Sequence, residues 1–312
     1  MDTDTGPTHA GRDPVGANRD VMDAGRDFVR ANRKLWDGWS DLHVASEFYD
    51  VEGFKAGRDT LDDVELEGVL ESVGDVEGKS LLHLQCHFGL DTLSWARRGA
   101  RVTGVDFSEK AVAHARRLAR EIHVGARFIC ADVTDTATVL EKLQGELFDV
   151  VFTSHGTISW LPDLRPWART IAGALKEGGT FFIADSHPFT WMFDDEATEP
   201  GLAFRYEYFS REPLRFEEKG SYAVPDSDFR GVSHSWQHSF EEIVTSLAEA
   251  GLMVLSIREY PHLAWRWFPW MVEGEDGTFR LPEGMPQIPL MFSLRATKPS
   301  GGRGRPGTSQ GC

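Results

Sequence analysis

The sequence predicts an α/β protein built on a mostly parallel sheet, and three observations carry that prediction. First, Lys79–Asp106 reads as strand, turn, helix, strand. Ser80–Leu84 is a short apolar run, and Gly89 marks a bend. Leu90, Leu93 and Trp95–Ala96 keep a helical spacing that Gly99 stops, and Val102–Val105 ends in Asp106. Second, Ala126–Cys130, Leu147–Phe152 and Thr180–Ala184 are further strand-length apolar runs, separated by amphipathic stretches. Third, these runs are apolar at nearly every position, as strands buried on both faces are. With 312 residues and 41% hydrophobic content, there is chain for one large α/β domain with additions, or for two small ones.

Taken in order, residues 1–18 are polar, rich in Gly and Pro and without period, and read as a disordered tail, as do 299–312. Residues 19–75 read as a helical cover. Phe28, Leu35, Trp36, Trp39 and His43 fall at helical spacings, Phe48, Tyr49 and Phe54 follow in a glycine-punctuated loop, and Leu61–Val73 forms another helix. The core spans 76–185. After Asp106, Ser108 is an N-cap for a helix that buries Ala111, Ala115, Leu118 and Ile122. Leu164–Leu175 is helical, KEGG stops it, and the fifth strand begins at Thr180.

Residues 186–238 form an insertion too long for an ordinary connection. Phe204, Tyr206 and Tyr208 alternate as in a strand, with Leu214, Phe216 and Tyr222 suggesting a partner, so a small antiparallel lid over the site is expected. Dimer contacts are the alternative use of such an insertion. Residues 239–298 finish the core. Ser239–Ala250 is a helix, Leu252–Ile257 and Pro289–Thr297 are strands, and between them Trp265, Trp267 and Trp270 crowd one loop.

An acid at the tip of the second strand of such a unit can accept both hydroxyls of a ribose. A diphosphate needs glycines that let backbone approach the phosphates, whereas Gln85 and His87 occupy two of the three positions here and only Gly89 is glycine. The stretch LHLQCHFGLDTLSWARRGARVTGVDFS, with GG before FFIAD, resembles class I S-adenosylmethionine (SAM)-dependent methyltransferases of bacteria, in a variant with His83 where the family's acid falls. That resemblance implies a Rossmann-like seven-stranded sheet with its last strand antiparallel. It also implies SAM as cofactor, S-adenosylhomocysteine as product, and a small-molecule methyl acceptor.

It further implies a set of cofactor contacts: Gln85, His87 and Gly89 in the turn, Asp106 on the ribose, Phe107 and Ser108 beside it, Asp132 and Val133 at the adenine, Ser154 past the fourth strand, and Tyr49 near the sulfonium. Phe107 and Asp132 have plain alternatives as core and surface residues. His155, at the carboxyl edge of the sheet, and His238 are the candidates for orienting or deprotonating the acceptor. Trp36, Trp39, Tyr206, Trp236, Trp265 and Trp267 are candidates for lining an aromatic acceptor pocket.

The formal charge of −16 argues against a phosphate-backbone partner. Cys86, Cys130 and Cys312 form no CxxC pair, and the histidines lack metal-ligand spacing, so neither a disulfide framework nor a metal is expected. Neither a membrane span nor a signal-peptide core is expected, and the chain reads as cytoplasmic, monomeric or homodimeric. The resulting expectation is methyl transfer to nitrogen, carbon or oxygen of a small, aromatic secondary metabolite, an indole-like one among them. Methylation of protein or RNA, a non-catalytic nucleoside-binding module and an NAD-dependent dehydrogenase are the competing readings.

Overall fold

The computed structural model describes residues 14–300. The tail segments at 1–13 and 301–312 lie outside the described residues, while positions 14–18 belong to a helix rather than to a tail. The chain opens with α1 (Pro14–Val44), α2 (Val51–Lys55) and α3 (Asp63–Val73). The alternating core follows: β1 (Ser80–Leu84), α4 (Leu90–Arg97), β2 (Arg101–Asp106), α5 (Glu109–Glu121), β3 (Ala126–Cys130), α6 (Thr136–Leu143), β4 (Phe148–Ser154), α7 (Leu164–Ala174) and β5 (Leu175–Ser186). Beyond it come β6 (Leu214–Lys219), β7 (Arg230–Ser235), α8 (Phe240–Glu249), β8 (Met253–Tyr260), β9 (His262–Leu263), β10 (Val272–Glu273), β11 (Phe279–Arg280) and β12 (Met291–Thr297).

Seven strands form the main sheet in the order β3-β2-β1-β4-β5-β12-β8. The pairs from β3 through β5 are parallel, and β12 is antiparallel to both neighbours. Burial explains the apolar runs: every residue of β1 is buried, and Trp95, Trp167, Phe152 and Phe182 fill the layers between sheet and helices. Even His83 is buried, its Nδ1 within 2.9 Å of Thr92 Oγ1, and burial pushes its pKa down to about 3. The KEGG segment, expected as a stop before the fifth strand, instead lies within β5, where the pairing with β4 shifts register between Phe148 and Val150.

The insertion departs from expectation in its pairing. β6 pairs with β7, from Leu214↔Ser235 to Lys219↔Arg230. Phe204, Tyr206 and Tyr208 form no strand. Phe204 makes an isolated bridge to Phe193, Tyr206 donates its hydroxyl to Asp195, and Tyr208 Oη accepts from the Phe240 N–H. Each aromatic found its own partner, and those contacts override alternation. Tyr222 lies between β6 and β7 and returns to the N-terminal helix. That helix is docked on β7 by Asn32, which donates to His234 O at 2.7 Å and accepts from His234 N at 2.8 Å. The tryptophan-rich segment is bracketed by the small sheet β10-β11-β9, and its core holds Phe193, Leu263, Phe268 and Leu290.

Gly68 shows how tightly α3 lies on the sheet, since an added Cβ would sit 2.0 Å from the buried Phe182 ring. Helix propensity alone favours Gly68→Ala by about 1 kcal/mol, but overpacking a full core costs about 1–3 kcal/mol. Gly68→Ala is therefore expected to lower the urea midpoint. A raised midpoint would mean that the ring yields freely.

Candidate active site

Strand order reverses between β1 and β4, so the loops leaving these two strands diverge and open a crevice at the carboxyl edge of the sheet. The turn after β1 keeps a glycine-type backbone without the glycines. Gln85 has φ 58°, His87 φ 50° and Gly89 φ 85°. Left-handed backbone costs an ordinary residue about 1 kcal/mol or more, and the surroundings hold it in place. Gln85 Nε2 donates to Thr157 O at 2.8 Å, and the His87 ring packs among aromatic side chains. At Gly89 a Cβ would meet the Phe128 ring at 2.7 Å, so glycine is needed there for space as well as for φ.

Asp106 ends β2 and faces this turn. One carboxylate oxygen accepts from the His87 N–H and the other from the Ser108 N–H, both at 2.8 Å. Burial pushes its pKa up to about 6, against the pull of those N–H groups. Ser108 caps α5 and donates its hydroxyl to Asp37 of α1 at 2.6 Å. Phe107 lies 5.8 Å from the Arg33 guanidinium. Asp132 turns its carboxylate to the N–H and hydroxyl of Thr134, and Val133 is core.

Over the turn lies an aromatic cover. Trp36 contacts Trp39, His43, His87 and Trp160 edge-on, with ring centroids 5.1–6.0 Å apart. His43 Nδ1 meets His87 Nε2 at 2.9 Å, and the Tyr49 and Tyr222 hydroxyls are hydrogen-bonded. Burial pushes the pKa of His43 down to about 4, and that of His87 well below the usual value. One proton thus bridges two neutral rings.

A second group sits past β4. Asp62 and Glu65 form a reciprocal capping box on α3, each accepting the other's backbone N–H at 2.8 Å. Their remaining oxygens, Asp62 Oδ2 and Glu65 Oε1, lie 3.0 and 3.5 Å from His155 Nε2. Burial works against a charged imidazole, but the Glu65 and Asp62 carboxylates outweigh it and push the His155 pKa up to about 9. Burial also pushes the Glu65 carboxyl up, to about 8, so the imidazole and the two carboxyls share their protons as one group. Asp185, at the end of β5, accepts from the N–H groups of Gly156, Thr157 and Ile158 and fixes the loop.

The other candidates are spread around this edge. Trp265 lies 5.3 Å from the His155 ring. Trp236 and His238 line a crevice with Ser159, Ser186 and Trp191 that admits little more than a water molecule. His238 Nε2 donates to Leu161 O at 2.8 Å, which commits that nitrogen to structure. Trp267 packs edge-on to Trp191, centroids 4.6 Å apart. Tyr206 finds its contacts at Asp195 and Arg205, apart from these groups. Sequence reasoning passed over Asp62, Glu65, Trp160 and Asp185. Only the D-x-x-E spacing of 62–65 before an apolar run was legible, as a helix cap.

Residues 82–183 match the family model described as a methyltransferase domain. The ubiquinone biosynthesis O-methyltransferase of Aeromonas salmonicida is 30% identical over 141 residues, which are 45% of this chain and 57% of the relative. That of Bordetella avium is 25% identical over 200 residues, 62% of this chain and 81% of the relative. The chain thus spans little more than half the length of the first of these relatives. Among solved structures, a SAM-dependent methyltransferase from Clostridium acetobutylicum aligns with TM-score 0.51 at 15% identity, over 78% of this chain and 94% of that one, a likeness of fold. Residues 82–183 are thus similar to a methyltransferase domain, on a fold shared with SAM-dependent methyltransferases.

The paired histidines give a pH dependence with a definite sign. Because the folded pKa of His43 is depressed, its contribution is complete above about pH 6.5 and is lost as pH falls toward 4. Between pH 7 and 5 this amounts to about 2 kcal/mol, at 1.36 kcal/mol per pKa unit. In urea unfolding, His43→Gln should lose about that much less stability over the interval than wild type. Equal losses would show that His43 is not held neutral.

Proposed function

We propose that this protein transfers a methyl group from SAM to a small aromatic acceptor. The observation that carries this reading is Asp106, a buried carboxylate at the tip of β2 facing a turn with left-handed backbone at Gln85, His87 and Gly89. The residues fit an adenosine-type cofactor. Asp106 offers acceptors for ribose hydroxyls, and Gln85 Oε1, His87 Nδ1 and Ser154 Oγ are buried polar atoms without partners at this edge. Gln85 and His87 carry side chains where a diphosphate needs bare backbone, which disfavours a dinucleotide. The sulfonium, when bound, supplies an activated methyl group. The protein's own tasks are to align the acceptor, exclude water and manage any proton.

The chain's residues suit those tasks. Trp36, Trp39 and Tyr49 cover the turn and keep water out, and an aromatic face favours a cationic sulfur by about 0.5–2 kcal/mol. Trp265, beside His155, and Trp236, above the neighbouring crevice, offer flat apolar walls for an aromatic acceptor, an indole-like ring among them. The names of the relatives favour oxygen as the methylated atom, with nitrogen and carbon as alternatives. The acidic chain and the aromatic cover favour a small molecule over nucleic acid.

Asp106→Ala should weaken SAM binding at least tenfold by titration calorimetry. Asp106→Asn, which retains an acceptor for one clamped N–H, serves if the alanine variant unfolds. Unchanged affinity in a folded variant would remove the proposed cofactor site. Incubation with methyl-labelled SAM and a panel of small aromatic acceptors should yield S-adenosylhomocysteine. Tight SAM binding without product across the panel would instead favour a non-catalytic binding module.

A further inference from the structure

The capping box on α3 has a consequence beyond helix termination. Asp62 and Glu65 each spend one carboxylate oxygen on the other's backbone N–H, which fixes both side chains without using their second oxygens. Those second oxygens converge with His155 Nε2 so that the three atoms lie within 4.8 Å of one another. Glu65 is 2% exposed, and its Oε1, aimed into this group, has no hydrogen-bond partner. A carboxylate oxygen that deep without a hydrogen bond is costly unless a cation or a proton meets it. Ser154 Oγ, one residue before His155, is likewise buried without a partner. Asp91, held by Thr60 Oγ1 at 2.6 Å, adds negative field from α4.

The geometry points to a divalent metal site formed by Asp62 Oδ2, Glu65 Oε1 and His155 Nε2. Ligands bonded at roughly 2.0–2.2 Å to one ion stand about 3–3.5 Å apart, and the nitrogen here lies 3.0 and 3.5 Å from the two oxygens. One imidazole and two carboxylates suit a first-row ion of the Mn2+, Co2+ or Zn2+ kind. Two ligands come from one turn of α3 and the third from the end of β4, so the site is set by packed elements, with Trp265 against the imidazole. Three protein ligands leave positions open to water or to an acceptor oxygen. The use of an acceptor oxygen rests on the methyl-transfer reading, while the metal site itself does not.

The competing arrangement is an imidazolium bridging two carboxylates, and a metal titration separates the two. The full chain, with any affinity tag removed and stripped with chelator, is titrated with Co2+ and followed by its visible ligand-field absorption. Wild type should saturate at one equivalent. Glu65→Gln should weaken binding at least tenfold while keeping its far-UV circular dichroism, because a glutamine carbonyl still caps the Asp62 N–H. His155→Asn should alter the spectrum by removing the nitrogen ligand. No saturable equivalent in wild type, or Co2+ binding by folded Glu65→Gln equal to wild type, overturns the site. SAM affinity of Glu65→Gln, measured in parallel, reports on the cofactor reading alone, so failure of one proposal is distinguishable from failure of the other.

Discussion

The site depends on a single clamp, the Asp106 carboxylate drawing together the His87 and Ser108 N–H groups. His87 belongs to the turn leaving β1 and Ser108 caps the helix leaving β2. The carboxylate therefore joins the two loops that must stay in register at the open edge of the sheet. The turn needs that support because Gln85 and His87 hold left-handed backbone that glycine would adopt without strain. Charge-assisted hydrogen bonds of this kind are worth more than neutral ones, and burial raises both their strength and the cost of losing them. Asp106 thus holds the two loops together and offers its acceptors at the place where a ribose is expected.

Around the clamp the chain closes from both ends. Helix α1 comes first in sequence and the β6–β7 insertion late, yet Asn32 binds the His234 peptide in both directions, across a separation of 202 residues. This junction brings Trp36, Trp39 and Tyr222 into one aromatic group, which meets the turn through Trp36 at His87. The cover is apolar but not inert, because the two histidines within it stay neutral only while they stay buried. Exclusion of water and the low proton affinity of His43 and His87 are therefore the same physical fact seen twice.

Much of this was legible in the sequence. The strands stood out because nearly every position is apolar, and Asp106 and Gly89 were marked by their place at the ends of such runs. The helix bearing Trp36, Trp39 and His43 announced its face by spacing. What was not legible depends on contacts distant in sequence. Alternation at Phe204, Tyr206 and Tyr208 yielded to separate partners in Phe193, Asp195 and Phe240. The grouping of His155 with Asp62 and Glu65 spans 93 residues in its closest pair, and no local pattern records it. The histidine was visible as a strand-end residue, but its carboxylate partners were not, since they come from the start of a helix far away in sequence.

The most direct measurement is a crystal structure of the protein grown with S-adenosylhomocysteine. The account predicts ribose hydroxyls within hydrogen-bonding distance of Asp106, with the adenosine against the turn from Gln85 to Gly89 and α1 lying over it. Density for the ligand elsewhere, or a turn that keeps Asp106 fully engaged and admits no nucleoside, would contradict it.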